Sequence, residues 1–168
     1  PGYWQAVAAR RIRRSASVIA AEGAGMRFRD GADLRSGRAV SWDVTNAAMR
    51  ARDIEAPLVT PIQAGTNLAL LAHDHDLVFY ESFLPDMAGH GRLDASVPEV
   101  MTLLDGLIGG ALASLRREDT LLLTSDHGNV ESIAAPTHTR NPVPLLVVGP
   151  AARAFKGVES IMELADVI

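Results

Sequence analysis

Three short apolar runs, Leu77-Val78-Phe79-Tyr80-Glu81-Ser82, Thr120 to Ser125 and Pro144 to Gly149, alternate with longer segments of helical character. That alternation most constrains the fold. A short run that is apolar throughout has the pattern of a strand buried on both faces. Strands separated by long helices imply a mainly parallel sheet with helices on both faces, an α/β architecture. The chain has 168 residues, 48% of them hydrophobic, which suits one core and one domain over residues 1–168.

The helical segments carry their own signals. Ala6 to Ala21 is rich in Ala and Arg, lacks Pro and Gly, and is followed by Glu22-Gly23-Ala24-Gly25 as a stop. Thr60-Pro61 is a cap and first-turn pair for a helix running to His73. Val97 to Arg117 repeats apolar residues at helical spacing (Val100, Leu103, Leu104, Leu107, Ile108, Ala111), with Gly109-Gly110 as a weak point. Met26 to Asn46 mixes Gly, Asp and Arg with short apolar pieces, which predicts turns and short extended segments. Residues 26–57 are the part that could belong to a small cap or connector.

Two of the apolar runs lead into histidine-bearing motifs. Asp86-Met87-Ala88-Gly89-His90 lies just past Ser82, Asp126-His127-Gly128-Asn129 directly follows Ser125, and Thr137-His138-Thr139 comes after a polar loop. In open α/β sheets, ligands gather beyond the carboxyl ends of the strands, where Asp86 and Asp126 fall. Two carboxylates at the edge of an apolar sheet are costly through desolvation and mutual repulsion unless a cation is present. Asp86, His90, Asp126, His127 and His138 offer mixed oxygen and nitrogen ligands, which suit Zn²⁺ or Mn²⁺ better than Ca²⁺. The chain has no Cys, so thiolate ligation is excluded.

The order D-x-x-x-H, then a strand ending in S-D-H-G-N, then T-H-T-R-N-P-V-P over residues 77–150 resembles the C-terminal half of the alkaline phosphatase superfamily. The branch it resembles contains cofactor-independent phosphoglycerate mutase and phosphopentomutase. The resemblance implies an incomplete three-layer sandwich with two divalent metal ions. It makes Asp86, His90 and His138 ligands of one ion, and Asp126 and His127 part of the shell of the other. Family members complete the second shell with an early Asp and the Ser or Thr nucleophile, neither of which has a motif match here. Both are therefore expected upstream of Pro1, in an N-terminal portion of the same enzyme, and this chain alone is expected to be inert. The implied reaction is in-line attack on a phosphate ester by Ser or Thr, giving a phosphoenzyme that is discharged to water (phosphatase) or to another hydroxyl (mutase). The partner would be a small phosphorylated metabolite, and Arg140 is placed to meet its phosphate bidentately.

Two other readings of the same residues stand beside this one: a hydrolase in which metal-bound hydroxide attacks directly, and a non-catalytic metal-binding module. The net charge of −4 argues against nucleic acid as a partner. Apolar stretches fall short of the roughly 18 to 20 residues that cross a bilayer, and no signal peptide is visible. With the lack of Cys, these features lean towards a cytoplasmic location without membrane contact. His73-Asp74-His75-Asp76 is expected to be a solvated turn, Thr45 and Asn46 turn or cap residues, and Arg10, Arg11, Arg13 and Arg14 a solvated helix face. Glu131 and Asp94 are candidates for holding ligands from behind, or else simple surface carboxylates.

Overall fold

A computed structural model describes residues 3–11, 13–51, 55–132, 135 and 137–168. Its helices are α1 (Tyr3–Ala8), α2 (Ala16–Gly23), α3 (Gly31–Arg35), α4 (Ala47–Arg50), α5 (Pro61–Leu71), α6 (Leu84–Gly89), α7 (Val97–Ser114) and α8 (Leu164–Val167). Short 3₁₀ turns occupy Ala72–Asp74, Pro150–Phe155 and Ile161–Glu163, and the strands are β1 (Leu121–Thr124) and β2 (Leu145–Val148).

The pair α5 and α7 forms the scaffold. Thr60 caps α5 by accepting the Gln63 N–H, with Pro61 in the first turn. Ser96 and Glu99 close a capping box at the start of α7, with Pro98 beside them. The two helices approach until their backbones touch. A Cβ on Gly65 would lie 1.9 Å from the Leu107 carbonyl oxygen, and one on Gly110 would lie 2.1 Å from that of Ile62. Gly110 therefore has a packing role, where the sequence suggests only a weak point. Ser114 donates to Thr66 across the same seam at 3.1 Å. In length and mean hydropathy (18 residues, 1.2) α7 also reaches the range of a membrane span, correcting the sequence-based reading that no stretch does. Here it supplies Val100 and Leu107 to the core.

That core joins Val44, Ala64, Leu84, Val100 and Leu107, with Trp42, Val59, Tyr80, Ala88 and Leu103 packed against it. It buries one side of α6 against α7 and thereby fixes the helix that carries Asp86 and His90. Residues 77–83 run extended into α6, held by side-chain bonds: Tyr80 Oη donates to the Ser41 carbonyl at 2.7 Å, and Ser82 Oγ to that of Trp42 at 2.9 Å. Burial, reinforced by the nearby Asp43 carboxylate, pushes the Tyr80 phenol above its ordinary range, so it remains a donor.

Several sequence expectations are corrected. The α/β class holds, but the sheet among the described residues is one antiparallel pair, with Leu121 opposite Val148 and Thr124 opposite Leu145. A parallel pair needs a long crossover, usually helical; the connection between β1 and β2 has no helix among its described residues and simply folds back. Residues 77–82 join no ladder among the described residues, and Leu77 to Tyr80 alternate instead of being buried on both faces, with Leu77 60% and Phe79 53% exposed. Leu146 and Val148 of β2 are outward-facing in the same way.

The helix expected over Ala6 to Ala21 is broken in two. Arg10 takes a positive φ of 54°, which ends one helix, and Ser15 accepts the Val18 N–H to start the next, leaving the arginines around the break. Residues 26–46 are turns as expected, plus α3, whose Asp30–Asp33 capping box the sequence reading passed over. His73 and Asp74 lie in a 3₁₀ turn and His75 follows it in extended conformation, with its Nδ1 2.9 Å from the Leu71 carbonyl oxygen.

The helix seam generates a paired prediction. Gly110→Ala should lower unfolding free energy by about 1–3 kcal/mol, because the new methyl meets backbone. Gly109→Ala, with nothing within 4 Å, should raise it by up to about 1 kcal/mol through helix propensity. Urea denaturation of both variants checks the sign of each.

Candidate metal centre

Two residues of the site come from one short helix. Asp86 lies in the first turn of α6 and His90 follows its last residue, with the His90 N–H bonded to the Asp86 carbonyl at 3.0 Å. The i,i+4 spacing puts both side chains on one face. The remaining residues come from the long β1–β2 connection. There an isolated antiparallel bridge pairs Gly128 with Thr139, whose N–H donates to the Gly128 carbonyl at 2.8 Å. Their neighbours His127 and His138 consequently stack, with ring centroids 3.5 Å apart and planes 11° from parallel.

Three ligand atoms converge. Asp86 Oδ1 is 3.0 Å from His138 Nε2 and 3.3 Å from His90 Nε2, and the two nitrogens are 3.1 Å apart. An ion bonded at about 2.0–2.1 Å has ligand–ligand edges of about 3.3 Å in tetrahedral geometry and about 2.9 Å in octahedral geometry. The observed triangle fits either. Without a cation, only one proton can lie between the two imidazole nitrogens. A divalent ion accepts lone pairs from all three atoms, so the donor set fits a metal.

Asp126 and His127 stand beside this triangle. His127 Nε2 is 3.6 Å from Asp126 Oδ1 and 4.0 Å from Asp86 Oδ1, while the Asp126 side chain is 81% exposed. Nδ1 of His127 is buried with no hydrogen-bond partner among the described residues. The five sequence-predicted ligands therefore share one neighbourhood, three of them in mutual contact distance and two adjoining, of which Asp126 is the open one. Arg140 is exposed two residues beyond His138, and Asp94 is exposed as well. Asp43 is buried in the turn before α4, where it accepts the Ala48 N–H at 2.6 Å.

Sequence reading missed Asn129. This residue is 8% exposed, and its Nδ2 donates to Asp86 Oδ1 at 3.0 Å, tying α6 to the turn after β1. Gly89 makes room, since a Cβ there would lie 2.1 Å from Asn129 Oδ1. The pairing of a Gly before His90 with an Asn after Gly128 was the available signal. Glu131, weighed as a possible surface carboxylate, is bonded to both sides of the bridge. Its Oε2 accepts the Asn129 N–H at 2.6 Å, while Oε1 accepts from the Thr139 hydroxyl and from Asn141 Nδ2, the latter at 3.0 Å. The Thr139 bond, helped by backbone N–H groups and Asn141, holds the Glu131 carboxyl down to about 2.

A family model described as the metalloenzyme superfamily matches residues 59–167, and the chain belongs to that superfamily. Among curated relatives, it is similar to three proteins named 2,3-bisphosphoglycerate-independent phosphoglycerate mutase. The protein of Rippkaea orientalis is 35% identical over 55% of this chain and 19% of its own length. That of Prochlorococcus marinus strain MIT 9313 is 31% identical over 78% and 24%, and that of Rhodopseudomonas palustris 39% identical over 48% and 18%. The chain thus spans about a fifth to a quarter of those relatives. No solved structure matches it.

A pH prediction follows from Glu131. Its folded-state value lies below the usual 4.5, so its contribution to stability is present above about pH 4.5 and is lost as pH falls towards 2. Urea midpoints measured between pH 5 and pH 2 should fall less steeply for Glu131→Gln than for the parent chain.

Proposed function

We propose that this chain supplies the metal-holding part of a phosphomutase-type phosphoryl-transfer centre. The observation that carries the reading is the triangle of Asp86 Oδ1, His90 Nε2 and His138 Nε2, with edges of 3.0 to 3.3 Å. Those residues hold one divalent ion, Mn²⁺ or Zn²⁺. Asp126 and His127 contribute to a second, more open site completed by residues outside this chain. When bound, two such ions supply positive charge that activates an attacking hydroxyl and neutralises the transferring phosphoryl oxygens.

The chain's own residues hold and orient. Asn129 fixes the Asp86 carboxylate, α6 fixes Asp86 relative to His90, and Arg140 is assigned to the phosphate of a small phosphorylated metabolite. The Ser or Thr that carries the phosphoryl group, and a further Asp, belong to an N-terminal portion of the same enzyme. Two observations support that assignment. The chain spans only 19 to 24% of the Rippkaea and Prochlorococcus relatives. Leu77, Phe79, Leu146 and Val148 also expose apolar surface on the faces of extended segments, which a further packed layer would cover.

Calorimetric titration should show one tight Zn²⁺ per chain. Asp86→Asn or His138→Ala should weaken it by more than the roughly 10–100-fold that loss of an outer supporting partner costs; unchanged binding in both variants would remove the site. With Mn²⁺ or Zn²⁺ the 168-residue chain should not turn over p-nitrophenyl phosphate. Metal-dependent hydrolysis abolished by Asp126→Ala would mean either that the nucleophile lies within these residues or that metal-bound hydroxide attacks directly, and a trapped phosphoenzyme would select the first.

A further inference from the structure

We infer that Glu131 is a positioning residue that sets His138 in place before any ion arrives. The inference rests on the metal-centre reading above. Asp86 and His90 are carried by one helix packed on the core, but His138 comes from the β1–β2 connection, and its side chain is 47% exposed. It needs an external restraint to be held 3.0 Å from Asp86 Oδ1.

The restraint is built from one carboxylate and one missing side chain. Glu131 accepts the Asn129 N–H on one side of the Gly128–Thr139 bridge, and the Thr139 hydroxyl and Asn141 amide on the other. Its two oxygens therefore span the connection that gives the stack of His127 on His138 its register. Gly128 leaves the space: a Cβ there would lie 2.2 Å from Thr139 Oγ1 and 2.5 Å from Glu131 Oε1. None of the atoms bonded to Glu131 belongs to Asp86, His90 or His138, so its effect on the triangle passes through the register of the bridge. Ordering the connection in advance spares the cost of ordering it when an ion binds.

Glu131→Gln tests this, because it keeps the shape but has one acceptor oxygen where the carboxylate uses two, so an amide N–H must face either the Asn129 N–H or the Thr139 hydroxyl and Asn141 amide. In the metal-free chain, proton NMR should lose the contact between the His127 and His138 rings. Zn²⁺ titration should show affinity about tenfold weaker, at the low end for outer supporting partners. In a His138→Ala background the same change should have no further effect, which a merely structural loss would not reproduce. Thr139→Ser, which keeps the hydroxyl, should preserve both readouts, and Thr139→Val should lower both. That pair tests the same link if Glu131→Gln does not fold. The inference is overturned if Glu131→Gln leaves the ring contact or the affinity intact, or costs as much affinity without His138. If the parent chain and His138→Ala bind Zn²⁺ equally, or neither binds, the metal-centre reading fails and the restraint's link to metal fails with it. Loss of the ring contact would then show the restraint on His138 alone.

Discussion

One carboxylate oxygen, Oδ1 of Asp86, is where three separately folded parts of the molecule meet. The helix that bears it also brings His90, the turn after β1 brings the Asn129 amide, and the returning segment brings His138. A lone carboxylate attracts such company at modest gain in water. Gathered in one partly enclosed place, the imidazoles and amide form a polar cluster whose members depend on one another. The fold serves this meeting point: the contact of α5 with α7 supports the core, the core seats α6, and the Gly128–Thr139 bridge brings the loop residues to it.

The architecture implies a division of labour between rigid and adjustable ligands. Asp86 and His90 share a helix, so their separation follows helical geometry. His138 is placed by a network of side-chain and backbone bonds on a loop, and Asp126 is largely in solvent. The rigid pair and its loop partner, with His127 stacked on His138, form the assembled part of the centre, and Asp126, 81% exposed, the open part. In a phosphoryl-transfer enzyme of the proposed kind, an open part is where substrate and nucleophile must enter.

The candidate site was more legible in the sequence than the sheet was. Thr60-Pro61 announced α5, because a capping hydroxyl followed by Pro is a local signal that survives in the folded chain. The three His motifs were visible because ligand chemistry restricts residue type, and the structure gathers them in one place. Strand direction was not visible. Leu121 to Thr124 reads alike whether its neighbour runs with it or against it, and direction was settled by the connection folding back between Gly128 and Thr139. The exposure of Leu77 and Phe79 could not be read either, because an apolar run does not reveal how many neighbours cover it. The break between α1 and α2 depends on Arg10 taking a positive φ, a choice composition does not encode. Asn129 escaped because its role comes from Gly89, forty residues earlier.

Gly65 and Gly110 in the helix seam, Gly89 beneath Asn129, and Gly128 beneath Glu131 have one property in common: backbone or a fixed side chain occupies the position where a methyl would stand. Mutational surveys that replace each residue with alanine treat that residue as the neutral baseline. In this molecule the baseline is itself an intrusion at those four positions, since the smallest possible addition meets backbone at Gly65 and Gly110 and displaces a hydrogen-bonded side chain at Gly89 and Gly128. Tolerance to sequence drift should therefore be lowest where there is no side chain to lose, and a survey that skips glycine would leave the most constrained parts of the seam and the site unsampled.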